Sequence, residues 1–442
     1  EHPRIPLYPM NLPIPADQLR DPLARRSFIE RCAKVSFGLS VLPFFSKLAT
    51  AAEAPGAAAN AGLPGFGKAK RVIFIQLAGG MSHIDTFDPK AGANKGPASA
   101  VSTKAGYQVT SFLPETAKVA DKIAVIRNMT AKVGVHASAA YLMRTGFEQR
   151  GSVQHPTLGA WAQHFLGASS KTLPSSVCVG RPANKGNGWF PAAFSPLPIQ
   201  SPSDGLQDVQ SLADEATHAK RTKLLADLDT GFGGKAADEN VKAYNDFYDA
   251  TFQLMKSSDL KAFDLTAESA ATKARYGTSR FGQGCLLARR LVENGVRFVE
   301  VAHGGWDMHA TLEDRMEDVG GDFDRVFAAL IHDLDSRGML DTTLVAVTTE
   351  FGRKPEFSGG GRGHHPLAFS TVLAGGGVKR GYVHGATDAK GYAPDGEGIS
   401  PGSLHATIAH AAGLPVQTDI ITPAGRPMQV GNKAKMVKGL FA

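Results

Sequence analysis

Short, almost uninterrupted apolar runs recur along the chain at residues 72–77 (VIFIQL), 122–129 (KIAVIRNM), 173–180, 296–302 (VRFVEVA), 342–348 (TTLVAVT) and 369–374. Each is rich in β-branched residues and bounded by glycine or turn residues, the pattern of a strand buried on both faces. Between them the period changes. Residues 312–340 carry Phe323, Val326, Phe327, Leu330, Ile331 and Leu334 at helical spacing, so a long helix connects two of the runs as a βαβ crossover. Helices are also expected over 112–120, 136–146, 158–166, 280–293 and 403–412. The alternation predicts an α/β fold with a largely parallel central sheet and helices on both faces.

The remaining stretches are of other kinds. Residues 181–206, full of proline, glycine and asparagine, read as a long surface loop in which Trp189 and Phe190 line a lid or a substrate wall. Residues 206–260 read as a mostly helical insertion with a solvated polar face. Residues 1–54 have the form of a twin-arginine export signal: Arg25 and Arg26 precede a short apolar stretch, and small-residue cleavage sites follow near Ala51 and Ala54. That stretch is too short, and too interrupted by Ser40 and Pro43, to remain as a membrane span. Residues 55–70 are a linker, and a single folded domain is expected over 71–442. The expected location is therefore the periplasm or the cell exterior.

Composition narrows the function classes. With 43% apolar and 20% charged residues the 442-residue chain is globular, and wholesale disorder is excluded. The net charge of +7 is scattered, with no basic block or nucleic-acid motif, so it reads first as an ordinary mixed surface, with attraction of an anionic small molecule or polymer as the alternative, and nucleic acid is not an expected partner. Cys32, Cys178 and Cys285 form no CxxC, which argues against thiolate zinc sites. Cys178 and Cys285 are either small buried side chains or one disulfide.

The candidate chemistry lies where the runs end. The run at 296–302 is followed by HGGWDMH with Asp307 and His309, and the run at 342–348 by TTEFGR with Glu350 and Arg353. A glycine-rich loop, GRGHHP, then adds His364 and His365. In an open α/β sheet ligands sit beyond the carboxyl ends of the strands. Carboxylate and neutral imidazole together suit a divalent metal such as zinc, manganese or iron. The first run stops at Gly79-Gly80, where the backbone can approach a ligand, and brings His83 and Asp85 into the candidate set. His136 opens a helix beside unpaired amides that favour an anion, with helix capping as the alternative. His164 and His332 fall on helical faces, His164 reading as a packed or surface histidine and His332 as a surface residue.

Taken together, AGGMSHIDTFDPK, HGGWDMH, TTEFGR, GRGHHP and LAGGGVKRGYVHGATD resemble the domain-of-unknown-function 1501 family, grouped with the alkaline phosphatase and sulfatase superfamily, over about residues 70–430. The resemblance implies a metal-dependent site for phosphate or sulfate esters. Asp307 and His309 match the carboxylate and histidine after one strand, and His365 or His364 the late loop histidine. Glu350 matches the acid of an Asp-His pair whose histidine is replaced by Phe351. The aspartate expected after the first strand is absent, so a second metal site depends on His83 or Asp85. The nucleophile position falls on His136, as nucleophile or as a further ligand, with Ser138 out of register.

The expected function is an exported metal-dependent hydrolase of a phosphate or sulfate ester. Asp307, His309 and His365 hold the metal, Glu350 is a ligand or general base, His136 lies near the transferred group, and Arg353 or Arg362 stabilises oxyanions. The rival is a non-catalytic envelope protein on the same fold that kept a metal or anion pocket for stability or binding and works by associating with a partner, such as an envelope protein.

Overall fold

Eight of the apolar runs and their short companions pair into one sheet: β1 (Arg71–Leu77), β2 (Ile123–Met129), β3 (Ser176–Val179), β4 (Leu197–Ile199), β5 (Phe298–His303), β6 (Thr343–Thr349), β7 (Phe369–Ala374) and β8 (Tyr382–His384). Their order across the sheet is β8-β2-β7-β6-β1-β5-β3-β4. Every pairing is parallel except the two made by β7, which runs antiparallel to β2 and β6. The sheet is that of a computed structural model, which describes residues 62–180, 186–206 and 253–442 with scattered positions between 214 and 227. The expected leader at 1–54, part of the expected linker and most of the expected insertion at 206–260 lie outside the described residues. Among the described residues no helix is long and apolar enough to cross a membrane.

Strand periodicity sends alternate side chains of β1 to opposite faces, and both faces are covered. Ile73, Ile75 and Leu77 join a core beneath α3 (Arg280–Glu293) and α4 (Gly321–Ser336). Val72 and Phe74 join another beneath α1 (His136–Thr145), α2 (Leu158–Leu166) and α5 (Pro401–Ala411). Cys285 packs in the first core, whereas Cys178 lies 3.9 Å from Glu300 on the opposite face, so both are free buried thiols. The disulfide alternative is not formed.

Three expectations are corrected. The stretch at 181–206 is not all loop: Leu197–Ile199 forms the edge strand β4, where Pro198 costs no inner ladder hydrogen bond. The helix expected over 312–340 is broken into Leu312–Arg315, a π turn at Met316–Gly320, and α4, with the paired glycines Gly320 and Gly321 at the junction. The helix expected over 112–120 shrinks to Pro114–Lys118, with Asp324 of α4 accepting from the Glu115 and Thr116 amides at its start.

The second core holds a titration liability. His405 of α5 is fully buried, its Nε2 on the Met143 carbonyl, and burial pulls its pKa down to about 4. His83 is likewise buried and lowered to about 4, by burial against a smaller opposing effect of Asp88. The unfolded chain takes up these protons first, so the stabilisation is present above about pH 6.5 and is lost as pH falls toward 4. Urea unfolding at about pH 7 and about pH 5 should therefore differ by on the order of 2 kcal/mol per imidazole. Replacing His405 by glutamine should reduce that difference, and an unchanged pH dependence would count against the assignment.

Candidate metal centre

The site begins with strand register. Leu77 of β1 pairs with His303 of β5 on one side and Thr349 of β6 on the other, so three adjacent parallel strands end at one level. Their continuations leave the sheet side by side: Ala78-Gly79-Gly80, Gly304 to His309, and Glu350 to Arg353. Thr349 joins two of them, its Oγ1 accepting from the Met81 amide at 2.7 Å and donating to the Leu77 carbonyl at 3.1 Å.

Gly79 is required for this closeness. It has φ 119°, and a Cβ there would stand 2.4 Å from the Asp307 amide nitrogen. Gly79→Ala should thus cost roughly 1–3 kcal/mol from backbone strain and contact, and should displace Asp307. Thermal unfolding and metal titration of the variant read the two effects separately; an unperturbed variant would show that the loops can part freely.

Arg353 locks the arrangement. Its buried guanidinium donates to the carbonyls of Gly79, Gly80 (2.8 Å), Trp306 (3.2 Å) and Arg362 (3.1 Å), and to Asp307 Oδ1 at 2.5 Å. Burial pushes the Asp307 carboxyl up, but the hydrogen bond and charge of Arg353 outweigh it and bring the pKa down to about 2. The carboxylate is therefore anionic over the working range of pH. Its side chain remains 47% exposed, leaving one flank of the site open to water.

Around Asp307 the imidazoles gather. His136 Nε2 lies 3.4 Å from Oδ2, and the Nε2 atoms of His309 and His364 lie 3.0 and 3.4 Å from Oδ1. His309 Nε2 and His364 Nε2 are themselves 3.0 Å apart. One ligand atom each from His136, Asp307 and His364 falls within 4.8 Å of the others. His136 comes from the first turn of α1, His364 from a two-residue ladder in which His364–His365 pairs with Gly352–Arg353. Phe351, fully buried, lies against both rings, with centroids 5.1 Å from His136 and 4.6 Å from His364.

The far side of each inner imidazole is fixed. His136 Nδ1 lies 2.6 Å from Glu350 Oε2, and His364 Nδ1 lies 2.9 Å from the Gly134 carbonyl. His136 Nε2 is buried without a hydrogen-bond partner. An orphaned imidazole nitrogen beside a carboxylate and a second imidazole is a donor set that fits zinc, manganese or iron, and the partly open side fits a site with a vacant position for another ligand.

Not every expected residue arrives there. His365 turns away, its Nε2 2.6 Å from the Tyr392 carbonyl, because neighbouring residues of a strand point to opposite faces. The histidine brought to Asp307 from GRGHHP is His364. His83 is buried with Nε2 on the Gly391 carbonyl at 2.9 Å. Asp85 is buried with both oxygens on Arg362, at 2.6 and 3.2 Å. Glu350 lies behind His136, with no contact to Asp307 or His364 among those formed. Neither arginine presents itself to an anion, since Arg353 is spent on the loops and Arg362 on Asp85 and the carbonyls of Lys354, Pro355 and Asn94. His332 is exposed, as expected, and His164, for which packed and surface placements were both open, is exposed as well. Two parts of the site carried no sequence signal of their own: the Gly134 carbonyl behind His364, and Phe351 as an apolar floor.

A family model described as a protein of unknown function, DUF1501, matches residues 69–441. Among solved structures the chain is similar to a sulfatase from Pseudoalteromonas sp., at 11% identity over 87% of this chain and 73% of that chain, TM-score 0.37. It is also similar to a putative sulfatase from Bacteroides thetaiotaomicron, at 10% identity over 84% and 75%, TM-score 0.37. A third likeness is to the TAB5 alkaline phosphatase, at 14% identity over 70% and 92%, TM-score 0.31. At these scores the likenesses bear on neither the site nor its substrate. No curated protein matches the chain.

Proposed function

The chain belongs to the DUF1501 family, and from that premise we propose that it is an exported, metal-dependent hydrolase of a phosphate or sulfate ester. The observation that carries this reading is the convergence of His136 Nε2, Asp307 and His364 Nε2 within 4.8 Å at the carboxyl ends of parallel strands. These three residues hold the ion, with His309 at the exposed edge as a fourth donor. A divalent ion at that place supplies Lewis acidity toward an ester oxygen and lowers the pKa of water.

The protein's own part is orientation and charge. Arg353 aims Asp307, Glu350 and the Gly134 carbonyl aim the two imidazoles, and Phe351 excludes water from beneath them. His309 is the most exposed of the donors, its Nε2 3.0 Å from both Asp307 Oδ1 and His364 Nε2, which places it at the substrate side of the site. An anionic ester approaches through the open flank beside Asp307. The twin-arginine-type pattern at Arg25-Arg26 supports export to the periplasm or the cell exterior as part of this reading.

The second reading is a binding or assembly protein of the envelope that kept a metal or anion pocket without turnover and associates with a protein partner. It is favoured by the engagement of both Arg353 and Arg362, which leaves neither of these two guanidinium groups for an oxyanion. Elemental analysis of the purified chain, followed by a screen of aryl phosphate, phosphodiester and aryl sulfate substrates with zinc, manganese and iron, separates the two. About one equivalent of metal together with turnover is the expected result. Stoichiometric metal without turnover supports the second reading, and a chain that takes up no metal sinks the hydrolase and leaves the binding or assembly role.

A further inference from the structure

Glu350 was expected to be a ligand or a general base, and its surroundings give it another task. We propose that Glu350 is a positioning residue that holds His136 in the tautomer bearing its proton on Nδ1, leaving a bare lone pair on Nε2 that faces Asp307 and His364. This deepens the metal-site reading and rests on it for its consequence, though the tautomer itself can be read without metal.

The hydrogen-bond inventory supports it. An ionised carboxylate and a backbone carbonyl only accept, so a neutral imidazole whose Nδ1 touches one of them must be protonated there and bare on Nε2. His136 meets Glu350 in this way at 2.6 Å, and His364 meets the Gly134 carbonyl at 2.9 Å. The two inner imidazoles are therefore set alike, by a side chain in one case and by backbone in the other.

His136 lies between two carboxylates, and their claims on its proton are unequal. Glu350 is at 2.6 Å with a side chain only 6% exposed, whereas Asp307 is at 3.4 Å and 47% exposed. Solvent weakens the more distant charge and burial strengthens the nearer one. Asp307 is also committed to Arg353 at 2.5 Å through its other oxygen. Nε2 of His136 makes no hydrogen bond, which is the state a lone pair awaiting a cation would have. The Phe351 ring, 5.1 Å from that of His136, restricts the imidazole from turning to exchange its nitrogens.

A carboxylate behind an imidazole raises its basicity as a ligand and fixes its direction, and loss of such a partner typically weakens metal binding about 10–100-fold. Glu350→Ala should produce that loss, with about one equivalent still bound at saturation. Glu350→Gln, which keeps an accepting oxygen without the charge, should fall between. The tautomer is read on the metal-free full chain by two-bond nitrogen–proton NMR at about pH 8, where an ordinary imidazole is neutral, with His136→Gln identifying the signal.

In the wild type His136 should be protonated on Nδ1 alone, and in Glu350→Ala the proton should shift toward Nε2. A wild-type His136 protonated on Nε2, or on both nitrogens, overturns the proposal. So does a Glu350→Ala variant with unchanged zinc affinity and tautomer, or one that loses stoichiometric zinc entirely, since the first makes Glu350 idle and the second makes it a ligand. If the wild type takes up no zinc, the metal reading fails while the NMR result still decides the tautomer.

Discussion

Asp307→Ala is expected to abolish stoichiometric metal binding while leaving the fold standing. The two effects separate because Asp307 is the anionic member of the donor set yet carries little of the packing. Its side chain is 47% exposed, and Arg353, deprived of it, keeps the carbonyls of Gly79, Gly80, Trp306 and Arg362. With the carboxylate gone, three imidazoles face a divalent cation beside a guanidinium that has lost its counter-charge. The affinity loss should exceed the roughly 10–100-fold that follows from disturbing an outer partner. His364→Ala should match it, and His365→Ala, whose ring faces Tyr392, should leave the metal in place. Elemental analysis and competition against a chelator measure all three. A metal retained in Asp307→Ala, or lost in His365→Ala with His364→Ala unaffected, would relocate the site.

The largest stability effect is expected at Glu300, the charged residue in the middle of β5. It faces the second core and accepts from Arg144 of α1 through Nε at 3.0 Å and Nη2 at 2.6 Å, with side chains 8% and 2% exposed. Burial alone would lower the Arg144 pKa, and the adjacent Glu300 charge reverses this and raises it. Glu300→Ala takes the buried carboxylate away from the Arg144 guanidinium and should cost about 3–5 kcal/mol, the usual penalty for breaking a buried pair. The double variant Glu300→Leu with Arg144→Met should recover most of the loss, because it buries no unpaired charge. Urea unfolding of the singles and the double gives the coupling directly. A mild Glu300→Ala, below about 1 kcal/mol, would place the pair among screened surface contacts. The same pair fixes the far end of the helix whose first residue is His136, so the single variants should also weaken metal binding.

Much of the fold was legible because burial on both faces writes itself as local apolar runs. The strands 71–77, 123–129, 343–349 and 369–374 and the helices 158–166 and 280–293 are found within a residue or so of where the pattern put them. The edge strands were not legible. Leu197–Ile199 and Tyr382–His384 are three residues long, and their pairing is made by neighbours remote in sequence. Nor was the antiparallel direction of β7, since a run buried on both faces carries no record of which way its partner points.

By itself the sequence determined the α/β class, the glycines that let loops meet, and the motifs whose carboxylates and imidazoles surround the site. Those are properties of residues close together in the chain. Only the tertiary structure decided that His364 and not His365 joins Asp307, that His136 arrives from a helix on the second face, and that Glu350, Arg353 and Arg362 serve the framework. Each of those outcomes depends on which side of a strand a residue faces and on which distant carbonyl or carboxylate takes its proton. Register and hydrogen-bond partnership arise between segments, and no single segment contains them.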